Sequence, residues 1–205
     1  MGLSKIMATA AVAALPVGAS ADSYGKYETP PYRVEDRIGE VEIRSYGPHL
    51  MADVTVRGGQ REALNRGFRV LAGYIFGGNR SRAEVAMTAP VAQSQQIAMT
   101  APVAQTGEGG LWTVSFMMPS QWTEETLPVP NSDAIRFRQV TGHREAVLTF
   151  SGRTPESTLR RQEQILRETL SAAGLETDGE VKFYFYDDPF TLPWQRRNEV
   201  ALRLK

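Results

Sequence analysis

Two stretches decide the fold: VEIRSYGPHLMADVTVRG at Val41–Gly58 and IRFRQVTGHREAVLTFSG at Ile135–Gly152. Shifted by 94 residues, the first falls on the second without a gap. Five positions are then identical: Arg44/Arg138, His49/His143, Ala52/Ala146, Thr55/Thr149 and Gly58/Gly152. Four further pairs are apolar in both: Val41/Ile135, Ile43/Phe137, Val54/Leu148 and Val56/Phe150. The apolar positions alternate with polar ones, which is the period of a half-buried strand. Each stretch therefore reads as a hairpin. Val41–Tyr46 turns at Gly47-Pro48 and returns as His49–Val56, and Ile135–Val140 turns at Thr141-Gly142 and returns as His143–Phe150.

A helix follows each hairpin. The first is predicted over Gln60–Phe76, closing at Gly77-Gly78, with Leu64, Phe68, Leu71, Ala72 and Ile75 on one apolar stripe. The second is predicted to open with Thr154 as N-cap and Pro155 at the first helical position, and to end at Gly174. Its stripe is Leu159, Leu166, Leu170 and Ala173. Two more strands close each half, near Glu84–Val91 and Leu111–Met118 in the first, Val181–Tyr186 and Glu199–Leu204 in the second. The expectation is an α+β fold in which duplicated βαββ units, about 32–118 and 119–205, form one distorted antiparallel β-barrel flanked by two helices. Neither half buries enough surface to stand comfortably alone, so residues 22–205 read as a single domain.

A second repeat is local: Ala86–Gln93 and Ala98–Gln105 both read AMTAPVAQ. Met87 and Met99 fit either core positions or a Met-rich lip over a cleft. Only one copy need be an integral strand, and the other is then a flap. Residues 1–21 read as a secretory signal: Lys5 gives a positive start, Ile6–Val17 an apolar run, and Ala19-Ser20-Ala21 a small-residue cleavage site. The alternative is a short buried helix. On the first reading the protein is periplasmic or secreted. No later apolar run reaches the ~18 residues of a membrane span.

Composition narrows the chemistry. The 23 basic and 23 acidic residues balance, which argues against a nucleic-acid partner. No Cys is present, which excludes disulfides, thiolate catalysis and Fe–S clusters, and two His are too few for a multi-histidine metal site. Nucleophile elbows, zincin helices and Gly-rich phosphate loops are absent as well.

Several segments resemble the SOUL/haem-binding-protein family: Tyr74–Asn79 (YIFGGN), Ala86–Val91 (AMTAPV) with its second copy, Trp112–Pro119 (WTVSFMMP) and Arg196–Val200 (RRNEV). The resemblance runs from about Tyr27 to Leu204. It implies a duplicated βαββ fold that binds haem or another porphyrin in a shallow apolar groove between the first helix and the loop joining the last two strands. Carried onto this chain, the groove takes Leu64, Phe68, Leu71, Ala72 and Ile75 from the helix, and Phe190, Leu192, Trp194, Arg196 and Arg197 from the loop. Phe190 and Trp194 suit stacking on a macrocycle, and Arg suits a propionate. The sequence departs from the family at Asn65 and Gly73, where some members carry basic residues, so the loop arginines gain weight.

His49 and His143 are candidate iron ligands, although equivalent places at two hairpin turns equally suit a structural role. Arg196 and Arg197 also read as solvated charges, and Trp194 also as a core lid. The function expected is non-catalytic haem or tetrapyrrole binding by a monomer, for buffering, carriage or sequestration. The alternative is an enzyme acting in the same groove, such as a haem-iron-removing or hydrolytic activity. Glu62, Glu84 and Glu199 are then the carboxylates available, and a buried carboxylate of raised pKa would favour it. A third reading, a ligand-free interaction protein, requires Phe190 and Trp194 to fill the groove themselves.

Overall fold

In the computed structural model, which describes residues 23–82 and 94–205, the four strands of the two repeats form where alternation places them, but the expected hairpins do not: Val41–Tyr46 pairs with His143–Phe150 and His49–Arg57 with Ile135–Val140, because Gly47-Pro48 and Thr141-Gly142 lead the chain on to a different partner strand instead of back along the same one. In chain order, a short ladder joins β1 (Ser23–Tyr24) to β2 (Tyr27–Glu28), and β3 (Tyr32–Ile38), β4 (Val41–Tyr46) and β5 (His49–Arg57) lead into helix α1 (Gln60–Ile75). Then come β6 (Asn79–Arg80), β7 (Val103–Glu108), β8 (Leu111–Met117), β9 (Val129–Pro130), β10 (Ile135–Val140) and β11 (His143–Phe150). Helix α2 (Glu156–Ala172), β12 (Thr177–Phe185), a single 3-10 turn at Pro193–Gln195 and β13 (Asn198–Leu204) complete the chain.

Nine strands make one antiparallel sheet in the order β10-β5-β8-β7-β12-β13-β11-β4-β3. The register of the two ladders that join the repeats, β4–β11 and β5–β10, is the same twice over. Ile43 lies opposite Ala146, and adding 94 to the first number while subtracting it from the second gives Phe137 opposite Ala52, which is also a pair. The expected barrel is corrected to an open sheet: closure needs the two edge strands to hydrogen-bond, and β3 and β10 each have one neighbour among the described residues. The strand expected near Glu84–Val91 and the first AMTAPVAQ copy lie outside the described residues, as does the segment read as a signal. The second copy enters the sheet with its tail, because Val103, Ala104 and Gln105 begin β7.

Both helices lie on one face of the sheet. Helix α1 covers β5 and β8, and its core holds Ala52, Val54, Leu71, Tyr74, Ile75, Val114 and Phe116. Helix α2 covers β11 and β13 through Leu159, Leu166 and Leu170, against Ala146, Val200 and Leu202. Helix α2 starts one residue later than its sequence suggests: Pro155, at φ −64 and ψ 156, is extended and caps the helix from outside. The identical glycines Gly58 and Gly152 both sit at positive φ, +136 and +106, where the chain leaves β5 and β11 for the helix that follows. An L side chain resists that conformation, which explains the identity at this position of the repeat.

Gly67 sets the height of α1 above the sheet. A Cβ built there would stand 2.6 Å from Val114 Cβ and Cγ2, closer than side chains approach. Gly67→Ala should therefore destabilise the protein by about 1–3 kcal/mol through overpacking, although Ala is the better helix former by roughly 1 kcal/mol. Urea denaturation checks this, with Val114→Ala expected to restore much of the loss. A Gly67→Ala protein more stable than the parent would contradict the close approach.

Candidate functional site

The sheet offers two different surfaces, one under the helices and one away from them. Under the helices, Phe68 packs edge-on against Phe116 with ring centroids 5.5 Å apart. Phe116 lies opposite Val103, and Val103 lies opposite Phe185, where the β12–β13 loop begins. Phe68, Val103 and Phe185 are each half-buried, so an apolar band runs from α1 towards that loop. Leu64 and Ala72, one turn to either side of Phe68, are half-buried too. Leu71 and Ile75 are turned away from it, 0% and 1% exposed in the core. Of the five helix residues implied by the family resemblance, three thus edge the band and two hold the helix down.

The β12–β13 loop holds its apolar residues out. Phe190 is 95% exposed, Trp194 69% and Leu192 47%. Its backbone is firmly tied: Asp188 Oδ1 accepts the N–H groups of Phe190 and Thr191, and Arg196 donates to the carbonyls of Thr191 and Pro189. Gly152 N–H bonds to Pro193 O, fixing the 3-10 turn to the entrance of α2. Phe190 and Trp194 therefore fill no groove of their own, and Trp194 is no core lid. Arg196 and Arg197 are not free solvated charges. Arg196 clamps its own loop, and Arg197 bonds Glu199 while stacking 4.5 Å from the Tyr186 ring.

The surface away from the helices is polar and also enclosed. Arg44, Glu145 and Glu199 are each about 1% exposed or less. Glu199 accepts from Arg44 Nη1 and Nη2 at 3.1 and 3.0 Å, from Arg197, and from the Tyr186 hydroxyl at 2.9 Å. Glu145 accepts from Lys182 Nζ at 2.6 Å, the Tyr184 hydroxyl at 2.9 Å and His143 Nε2 at 3.0 Å. Burial alone would raise the Glu145 carboxyl, but His143 and Lys182 overcome it and hold the group at about 2. Burial opposes ionisation of Glu199 too, and Arg44 and Arg197 keep it below the usual carboxylate range. Of the other acids considered from sequence, Glu62 is exposed and paired with Arg66, and Glu84 lies outside the described residues.

The two histidines meet on this second surface, their ring centroids 6.2 Å apart. Nδ1 of His143 faces Thr141 O and Nε2 faces Glu145, so both nitrogens are turned to groups of the protein and neither is directed at a ligand. His49 differs. Its Nδ1 donates to Gly47 O, and burial lowers its pKa, so the neutral ring keeps a lone pair on Nε2. His49 borders two adjoining hollows, one of ≈ 70 Å³ walled by Tyr46, Met51, Met117 and Tyr184, and one of ≈ 680 Å³ nearer solvent. Sequence reasoning named the histidines but not Tyr46, Glu145, Lys182 or Tyr184. The available signal was charged residues, such as Arg44, Glu145, Lys182 and Glu199, on strands that lie inside the sheet.

Residues 27–203 match the family model described as SOUL heme-binding protein. Heme-binding protein 2 of Mus musculus is 29% identical over 178 residues, spanning 84% of this chain and 82% of that protein. Heme-binding protein 2 of Homo sapiens is 29% identical over 197 residues, spanning 90% of each. Among solved structures, a hydrolase from Listeria innocua superposes with a TM-score of 0.54 at 14% identity, covering 81% of this chain and 92% of that one. At such low identity that likeness concerns the fold alone.

The depressed Glu145 carboxyl makes stability pH-dependent. The unfolded chain takes up this proton near the ordinary 4.5, the folded chain only near 2. The stabilisation is thus complete above about pH 4.5 and is lost as pH falls through the folded value. Glu145→Gln should lower the thermal midpoint at neutral pH and make its decline in acid shallower, as followed by circular dichroism. A variant as acid-sensitive as the parent would assign the proton elsewhere.

Proposed function

The chain belongs to the SOUL heme-binding protein family, and on that premise we propose that it binds haem or a related tetrapyrrole without transforming it. The binding buffers, carries or sequesters the ligand in the periplasm or outside the cell, with the chain acting as a duplicated βαββ monomer. The ring lies on the helix side of the sheet, along the band from Leu64, Phe68 and Ala72 to the β12–β13 loop. One observation carries the reading. Of six large apolar side chains exposed among the described residues, three (Phe190, Leu192 and Trp194) fall within five residues of a loop whose backbone is pinned. Contiguous apolar surface held out in this way marks a binding site, and a pinned loop loses little entropy when a ligand arrives.

The ring is gripped by its faces. Trp194 and Phe190 stack on the macrocycle, and Arg196, with N–H groups beyond those given to Thr191 and Pro189, takes a propionate. His49 and His143 lie on the opposite side of the sheet, so on this reading neither ligates the iron. A haem-iron-removing or hydrolytic activity would draw support from a buried carboxylate of raised pKa, whereas Glu145 and Glu199 are pushed down.

Trp194→Ala and Phe190→Ala, alone and combined, should weaken haem and protoporphyrin binding, the pair by at least about tenfold. Because both side chains are exposed, the thermal midpoint should stay within a degree or two of the parent. Trp fluorescence quenching and Soret titration read the affinity. Undiminished binding by the folded double variant would place the ring elsewhere.

A further inference from the structure

We propose that the hollow on the face of the sheet away from both helices is a second ligand site, selective for a small aromatic molecule bearing one acidic group, a carboxylate or a phenolate. Its walls suit a flat ring. Tyr46 stacks on His143 with ring planes 13° apart and centroids 5.3 Å apart. Met51 and Met117 face each other directly across the β5–β8 ladder, presenting polarisable sulfur to a ring edge. The inner ≈ 70 Å³ adjoins the ≈ 680 Å³ hollow at Thr29, His49 and Met117, so a ring seated inside has room for substituents outside.

Hydrogen-bonding capacity selects the ligand's charge. Both buried carboxylates are already saturated by protein donors, so the inner hollow offers a cation no free anion. What is left over consists mainly of donors. Lys182 gives one N–H to Glu145 and has others, and Tyr46 accepts from Arg44, which leaves its own proton to donate. His49 Nε2 adds one acceptor for the proton of an acid entering neutral.

Arg138 and Lys182 line the inner hollow, and among the described residues no carboxylate lines it. Glu28, Glu124 and Glu125 stand on the outer hollow, where Glu28 accepts the Ser120 N–H and the other two are exposed and therefore screened by salt. On the proposed function the tetrapyrrole lies on the other face, so the two sites are separable.

The test uses 4-nitrophenol, whose yellow phenolate reports its own ionisation, with benzyltrimethylammonium as the cationic counterpart. The parent chain should bind the dye saturably, one to one, and as phenolate at a pH where the free dye is mostly protonated. Benzyltrimethylammonium should not displace it. Lys182→Met should weaken the dye by about tenfold. Ala104→Phe, which fills the hollow without removing a charge, should abolish binding in a protein that circular dichroism shows to be folded. Trp194→Ala, expected to weaken haem, should leave the dye unaffected. No saturable binding at millimolar dye, tighter binding of the cation, undiminished binding in folded Ala104→Phe, or loss of the dye in Trp194→Ala would each overturn the proposal.

Discussion

A buried ion pair between Arg44 and Glu199, 155 positions apart in the chain, is the constraint on which the rest of the structure depends. The two partners stand on β4 and β13, with β11 between them, so they meet only when a strand of the first repeat and the last strand flank a strand of the second repeat. Taking two charges out of water costs several kcal/mol each, and the pair is tolerable only with further hydrogen bonds. Arg197 and Tyr186 supply these to Glu199, and Glu42 and Tyr46 engage the rest of Arg44. Removing one partner would leave a buried charge alone, a loss of roughly 3–5 kcal/mol. Because both buried carboxylates there are matched, the polar face can be enclosed without collapsing into an apolar core, and a hollow survives on it.

Much of the fold was legible because alternation and capping are local. The four strands of the repeat, both helices, and β8, β12 and β13 lie within a few residues of their predicted places, but the repeat strands pair across the two halves and not as hairpins, since pairing partners are not a local property. What alternation could not say was whether the polar side of each strand meets water. Arg44 and Arg138 occupy the same place in the repeat, yet one side chain is 1% exposed and the other 52%, on the rim against Asp53. That difference arises only when strands from the two halves interleave. The closed barrel is not found among the described residues, since closure is a property of the two edge strands and not of any strand's own pattern.

The stripe of α1 shows a second limit. Hydrophobicity centres it on Leu64, Phe68 and Leu71, but burial centres it on Ala63, Gly67, Leu71 and Tyr74. The helix comes closest where its side chain is smallest, at Gly67 over Val114, and a scale that rewards large apolar residues misses such a contact. The consequence is functional. Rolling the helix onto Gly67 leaves Leu64, Phe68 and Ala72 half-exposed along one edge, beside the open band of Val103 and Phe185. The loop aromatics were legible as ligand candidates only through the family resemblance, which implies that the loop joining the last two strands walls the groove. Their arginine neighbours were half-legible: the charge was visible, its partners in Glu199 and the loop carbonyls were not.

Ring recognition by apolar faces, without a protein ligand to the metal, is tested most directly by titrating residues 22–205 in parallel with ferric haem and with metal-free protoporphyrin, following absorbance and Trp fluorescence. Saturation by both at one equivalent, with dissociation constants within a few-fold of each other and a Soret band unchanged in His49→Ala, is the predicted result. Binding of haem alone, with metal-free protoporphyrin excluded and the Soret shift lost in His49→Ala, would contradict it and move the ligand to the histidine side of the sheet.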